Sequence, residues 1–183
     1  NIDAKKLKRM ADFCQREVNA CLPGNFYSLK PAQKKKVIFN ALNRPLRVCA
    51  MVKNTGEPGG GPFWVKETND KMSPQIVESA HVNKNSRAQM KIWSCATHFN
   101  PVDMVCCIKD FRGKKFDLAK FVNNKAFLVT TKMERGRKIK ALEMPGLWNG
   151  SIARWNTIFV EIPLLAFNPV KTVDDLLRPQ HMA

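Results

Sequence analysis

LRVCAMV, residues 46 to 52, decides the fold. A short, nearly continuous apolar run of this kind, opened by Asn43-Arg44-Pro45, is the pattern of a strand covered on both faces. Three more candidate strands follow: QIVESAHV at 75–82, VDMVCCI at 102–108 and TIFVEI at 157–162. Between the second and third, Ser86 to Ala96 suits a helix with Ala88, Ile92 and Cys95 on one side. Leu118–Val122 and Val173–Leu177 suit shorter helices. Strands alternating with helices predict an α/β fold, with a mixed, mainly parallel sheet and flanking helices.

Upstream of this body the period changes to that of a helix. Leu7, Met10, Cys14, Val18 and Cys21 or Leu22 form one apolar stripe, which Pro23-Gly24 ends. Ser28 is the expected cap of a second helix, with Pro31 in its first turn and Val37, Ile38, Ala41 and Leu42 inward. The chain therefore divides into a helical lead-in, residues 1–43, and an α/β body, residues 44–183, with no internal repeat.

With 183 residues, 44% of them hydrophobic, the chain can bury the core of one domain, and 25% charged residues without low-complexity tracts argue against wholesale disorder. No apolar run approaches the ~20 residues of a membrane helix. The opening NIDAKKLKRM is basic but lacks the apolar region of a secretory signal. It does not begin with Met, which initiator removal, processing and truncation explain equally. None of the six cysteines forms a C-x-x-C pair, and His81, His98 and His181 show no zinc-ligand spacing beside them. Cys49, Cys106 and Cys107 lie in apolar runs and are expected as buried, reduced thiols of a cytoplasmic protein. A net charge of +16 points to an anionic partner. Yet only Lys34–Lys36 and Arg135–Lys140 are dense, and no aromatics interleave with them as single-strand binding requires, so a solvated basic face is the simpler account.

Five segments are candidates for chemistry. In GEPGGGPFW, residues 56–64, Glu57 and Gly59, Gly60 and Gly61 would line a ligand with backbone amides, at the end of a buried strand; a β-turn or hairpin is the alternative. Glu78 shares a strand face with Ile76 and Ala80, and either meets solvent at an edge or captures ligand hydroxyls. His98, Asn100 and Asp103 gather a base, an amide and a carboxylate, although HFNP is equally a turn. Trp148 and Asn149, before Gly150, line a ligand or make a turn, and Trp148 is equally a ligand platform or a core tryptophan. Lys171 in FNPVK offers a point charge suited to phosphate, or is a surface lysine. No residue is assigned a catalytic role and no metal ligand is assigned.

In this order, these segments closely resemble, over about residues 44–183, the carboxyl-terminal part of a bacterial family of unknown function whose members are considerably longer. That family is similar in turn to the UDP-sugar and UDP-N-acetylhexosamine pyrophosphorylases, which share the nucleotide-diphospho-sugar transferase fold. The resemblance implies that Glu78 of IVES binds sugar hydroxyls. Lys171 matches the lysine of an F-S-P-x-K segment that contacts the sugar phosphate, with Asn168 in place of the serine. His98 and Phe99 resemble an N-H-F-F stretch near the sugar, with Thr97 where its asparagine stands and Asn100 as the alternative amide. Nothing here matches the glycine-rich, basic nucleotide motif of those enzymes or the acidic residue that holds magnesium. The implied function is the sugar-phosphate side of a nucleotidyltransferase whose amino-terminal half lies elsewhere in the same protein. This chain alone is expected to be inactive, and magnesium is expected only in the full-length protein. Expected partners are a sugar phosphate or nucleotide-sugar and that missing half, without a membrane. The alternatives are a basic, non-catalytic module for nucleic acid or another polyanion, and a degenerate sugar-nucleotide-binding protein.

Overall fold

The computed structural model describes residues 2–54, 56, 59–67, 71–170 and 172–182. Two helices come first, α1 (Ala4–Arg16) and α2 (Pro31–Leu42). They are followed by β1 (Leu46–Lys53), β2 (Gly61–Lys66), β3 (Met72–Val77), α3 (Arg87–Ser94), β4 (His98–Phe99), β5 (Met104–Cys107), β6 (Leu128–Glu134), β7 (Arg137–Glu143) and β8 (Asn156–Glu161).

β1 is the spine of the main sheet. Along one edge it pairs in parallel with β8, with Leu46 opposite Asn156 and Met51 opposite Glu161. Along the other it pairs antiparallel with β5 and then with β4, which are separated by a bulge at residues 100–103. Two antiparallel ribbons, β2–β3 and β6–β7, lie outside this sheet. The architecture is mixed α/β, and the expectation of a mainly parallel sheet is corrected: β1–β8 is the single parallel pair among the described residues. The reason lies in the connections. Parallel neighbours need a crossover of about a dozen residues or more, and the β2–β3 and β6–β7 connections are too short. At the β6–β7 turn, Arg135 (φ 47°) and Gly136 (φ 77°) are both left-handed, the two-residue geometry that matches strand twist.

The helices differ from expectation at their ends. Asp3 caps α1, its carboxylate accepting from the Lys6 N–H at 2.7 Å, and α1 ends at Arg16, ahead of the left-handed Asn19 (φ 52°). Val18 and Leu22 stay buried without being helical. Ser28 does not cap α2: it sits in a 3-10 turn, and Lys30 occupies the cap with its N–H bonded to Gln33 Oε1 at 3.0 Å. Pro31 then opens the helix, as its fixed φ favours. α3 buries none of its residues, and Ile92 is 61% exposed where it was expected inward. Its anchor is Trp93, stacked on Phe63 with ring centroids 5.4 Å apart.

Two apolar clusters hold the chain together. Leu7, Ala11, Cys14, Ile38 and Ala41 pack α1 on α2, with Leu22 and Phe26. Cys49, Met51 and Ile76 form the second, against Met104, Trp148 and Phe159. Cys14 and Cys49 are buried, and burial pushes both thiols up. Cys106 and Cys107, expected to be buried, are exposed, because β5 is an edge strand. No described helix is long and apolar enough to cross a membrane.

Candidate functional site

β1 and β8 end together, and β3 delivers its last residues to the same place. Here the chain packs backbone against side chain. A Cβ on Gly60 would lie 2.6 Å from Ile76 Cγ2 and 3.2 Å from Glu78 Cγ, so only glycine fits. The Gly60 carbonyl accepts the Asn100 N–H at 2.7 Å. Gly59 abuts Phe99, and Gly61 abuts the His98 carbonyl. Phe99 meets Phe167 edge to face at 5.3 Å, which ties Phe167 to the same spot. The structure thus brings Gly59, Gly60 and Gly61 together with Glu78, His98 and Asn100. Glu57 and Lys171 lie outside the described residues, as does the side chain of Asn149.

Glu78 and Ile76 both face Gly60, but Glu78 is not inside a strand. β3 stops at Val77, and Glu78 is an extended, half-buried residue opening the 3-10 turn Ser79–His81. Its N–H donates to His81 Nδ1 at 2.9 Å, and its carbonyl accepts the His81 N–H. Because Nδ1 is an acceptor, the neutral ring carries its proton on Nε2. Burial lowers the His81 pKa from its ordinary value, and the Glu78 carboxylate opposes that shift. The unfolded chain therefore binds this proton at higher pH than the folded one. Folding stability is expected to decline as pH drops below about 6.5 towards the folded pKa. Denaturation midpoints between about pH 7.5 and 5 should show that slope, and it should flatten in His81→Gln, whose amide oxygen can still accept the Glu78 N–H.

His98 Nδ1 lies 2.9 Å from Thr97 Oγ1, and its Nε2 lies 3.4 Å from Glu161 Oε2, without hydrogen-bond alignment. Asn100 has a structural task. Its amide donates to the Ala50 carbonyl at 2.7 Å, and its Oδ1 accepts the Val102 N–H at 2.9 Å. These bonds fasten the bulge in which Val102, a β-branched residue, takes a left-handed φ of 73°. Asp103 was expected within a strand; it lies in this bulge, exposed, with its carbonyl accepting the Ala50 N–H.

Trp148 does not join the group. It occupies a π-type turn, Leu147–Ser151, packs on Cys49, Met51 and Ile76, and lines a separate cavity of about 460 Å³ with Gln75, His81 and Arg154. Gly150 in that turn has φ 142°, and a Cβ there would strike Ala126, Pro145 and the Asn123 carbonyl at 2.9 Å each. Glu161 is the neighbour of His98 that sequence reasoning missed. Its position at the end of TIFVEI was the available signal, and only the β1–β8 register places it beside His98. Among the described residues no group of three or more His, Cys, Asp or Glu side chains could hold a metal ion.

Closely packed glycines thus meet Glu78, His98 and Asn100 where strands of the mixed sheet end. The chain belongs to the family described as Domain of unknown function (DUF4301), whose model matches residues 1–182 and so includes the helical lead-in. No curated protein matches it. Among solved structures it is similar to three variants of UDP-glucose pyrophosphorylase from Leishmania major, two of them in complex with UDP-glucose. Identities are 17%, 16% and 15%, TM-scores 0.44, 0.44 and 0.43, and the matches cover 81%, 81% and 83% of this chain. The chain spans about a third of their length, 33%, 33% and 34%.

Proposed function

We propose that this chain supplies the sugar-phosphate side of a nucleotidyltransferase, within a longer protein that joins a nucleoside triphosphate to a sugar 1-phosphate. What supports the reading is the contact of Gly60 with Glu78 beside His98, in segments that resemble the pyrophosphorylase motifs. A phosphate oxygen of the sugar phosphate attacks the α-phosphorus in line. The new P–O bond forms as the bond to the β-phosphate breaks, and pyrophosphate leaves. Glu78 orients sugar hydroxyls, Gly59–Gly61 line the ligand with backbone, and Lys171 neutralises the sugar phosphate. No step is assigned here to a metal.

The test is the full-length protein with nucleoside triphosphates and a panel of sugar 1-phosphates, followed by pyrophosphate release. For an active pair, Glu78→Gln is expected to lower kcat/KM about tenfold, a loss of about 1.4 kcal/mol of transition-state stabilisation, chiefly through KM for the sugar phosphate. Absence of pyrophosphate from every pair would overturn catalysis and leave a sugar-nucleotide binder to be tested by calorimetry.

One observation favours a second reading. The β6–β7 ribbon exposes Arg135, Arg137, Lys138 and Lys140, a basic surface for nucleic acid or another polyanion. That reading requires binding that weakens steeply as salt rises.

A further inference from the structure

The opposite ends of β1 and β8 enclose something else. A cavity of about 340 Å³ is lined there by Asn19, Arg44, Glu67, Arg154, Trp155 and Thr157, among others. It is separate from the glycine crevice. Thr157 pairs with Arg47 whereas Glu161 pairs with Met51, so four residues of strand, about 13 Å, divide the two places.

The chemistry of this cavity is that of an anion receptor. Two guanidinium groups, Arg44 and Arg154, face one carboxylate, Glu67, among the described lining residues. Arg44 bonds through Nε to the Asn40 carbonyl at 2.9 Å, and no described side chain bonds its remaining guanidinium nitrogens. Burial pulls the Arg44 pKa down, Arg154 adds to that fall and Glu67 opposes it. Behind the wall lies a third cation. Arg47 is 1% exposed and bonded to Thr157 Oγ1 at 2.8 Å and Gln75 Oε1 at 2.7 Å, both neutral groups. No described carboxylate bonds to it. Trp155, also in the lining, has a buried indole N–H with no partner. The described lining thus carries the cations Arg44, Arg154 and Lys71 against the carboxylate of Glu67, and a positive charge held out of water strengthens its field in a cavity.

We propose that this cavity is a second binding site, for a small oxyanion of the phosphate class. The forked guanidinium groups of Arg44 and Arg154 take its oxygens, and the buried Arg47 adds long-range attraction. The site is independent of the sugar-phosphate crevice and would serve an effector or a remote charged group of a larger ligand.

The experiment titrates the full chain at low salt with inorganic phosphate and, separately, glycerol 3-phosphate, read by calorimetry and tryptophan fluorescence. Saturable binding at or below about 1 mM is expected. Arg44→Gln and Arg154→Gln should each weaken it about tenfold or more, and Lys5→Gln, on an exposed lysine of α1 outside the cavity, should leave it unchanged. Tighter binding of the monoester assigns an organic phosphate, and equal binding assigns the free ion. No saturation overturns the proposal. So does binding insensitive to both arginine variants. Both arginines are exposed, so unfolding midpoints near wild type are expected for their variants. Should Arg44→Gln fail to fold, Arg154→Gln decides the matter alone.

Discussion

Arg47→Ala is expected to cost about 3–5 kcal/mol of folding stability, roughly a 10 °C drop in Tm for a chain of this size. The guanidinium sits in the middle strand of the sheet and joins Thr157 on β8 to Gln75 on β3. Gln75 passes the connection on, to Ser73 Oγ at 3.0 Å and the Ala153 carbonyl at 2.8 Å. Thr157 is 1% and Gln75 8% exposed, so removing the arginine strands two buried acceptors and opens a void. Each stranded group costs about 1–3 kcal/mol. The triple replacement Arg47→Met, Gln75→Leu, Thr157→Val removes the buried charge with both its acceptors, though it leaves the Ala153 carbonyl without its Gln75 donor, and is expected to recover part of the loss. Urea denaturation of both proteins checks this. If Arg47→Ala lies within about 1 kcal/mol of wild type, the network is not what aligns the strands.

Gly60→Ala is expected to be the most damaging change in the crevice. Its new methyl would lie 2.6 Å from Ile76 Cγ2, and Ile76 is 1% exposed in the core cluster with Cys49 and Met51. It cannot move without disturbing that cluster. Overpacking of this kind costs about 1–3 kcal/mol, a Tm lower by roughly 3–10 °C. Gly24→Ala is the control, since nothing lies within 4 Å of a Cβ there. Under the proposed function, Gly60→Ala should also depress pyrophosphate release, because it displaces Glu78. Unchanged thermal unfolding in Gly60→Ala would mean that the loop yields and does not shape the crevice.

The sequence carries the main sheet well and the ribbons poorly, for physical reasons. Residues 46–52 and 157–162 announce themselves because β1 and β8 bury or half-bury most of their positions, whereas 102–108 was legible from its apolar composition although β5 is exposed at three of its four residues. β6 and β7 are another case. LVTTKME and RKIKALE are solvated on much of their surface, so Lys132, Arg137, Lys138 and Lys140 mask the alternation and suggest a charge patch. The Arg135-Gly136 pair was the legible turn signal. The direction of pairing was less visible still, since it depends on where short connections can reach. Ile76 and Glu78 share a face as their spacing requires, but the approach of Gly60 to both depends on tertiary packing. So do the parting of Trp148 from His98 and the meeting of Arg44 with Arg154.

The register of β1 with β8 joins residues 110 positions apart. On the ribosome β1 emerges before its parallel neighbour and waits for it. At about 5–20 residues per second, that interval is roughly 5–20 s. Throughout it, Arg47 has no Thr157, and one margin of the central strand stands bare. The nascent domain is therefore most exposed to wrong pairing during its own synthesis.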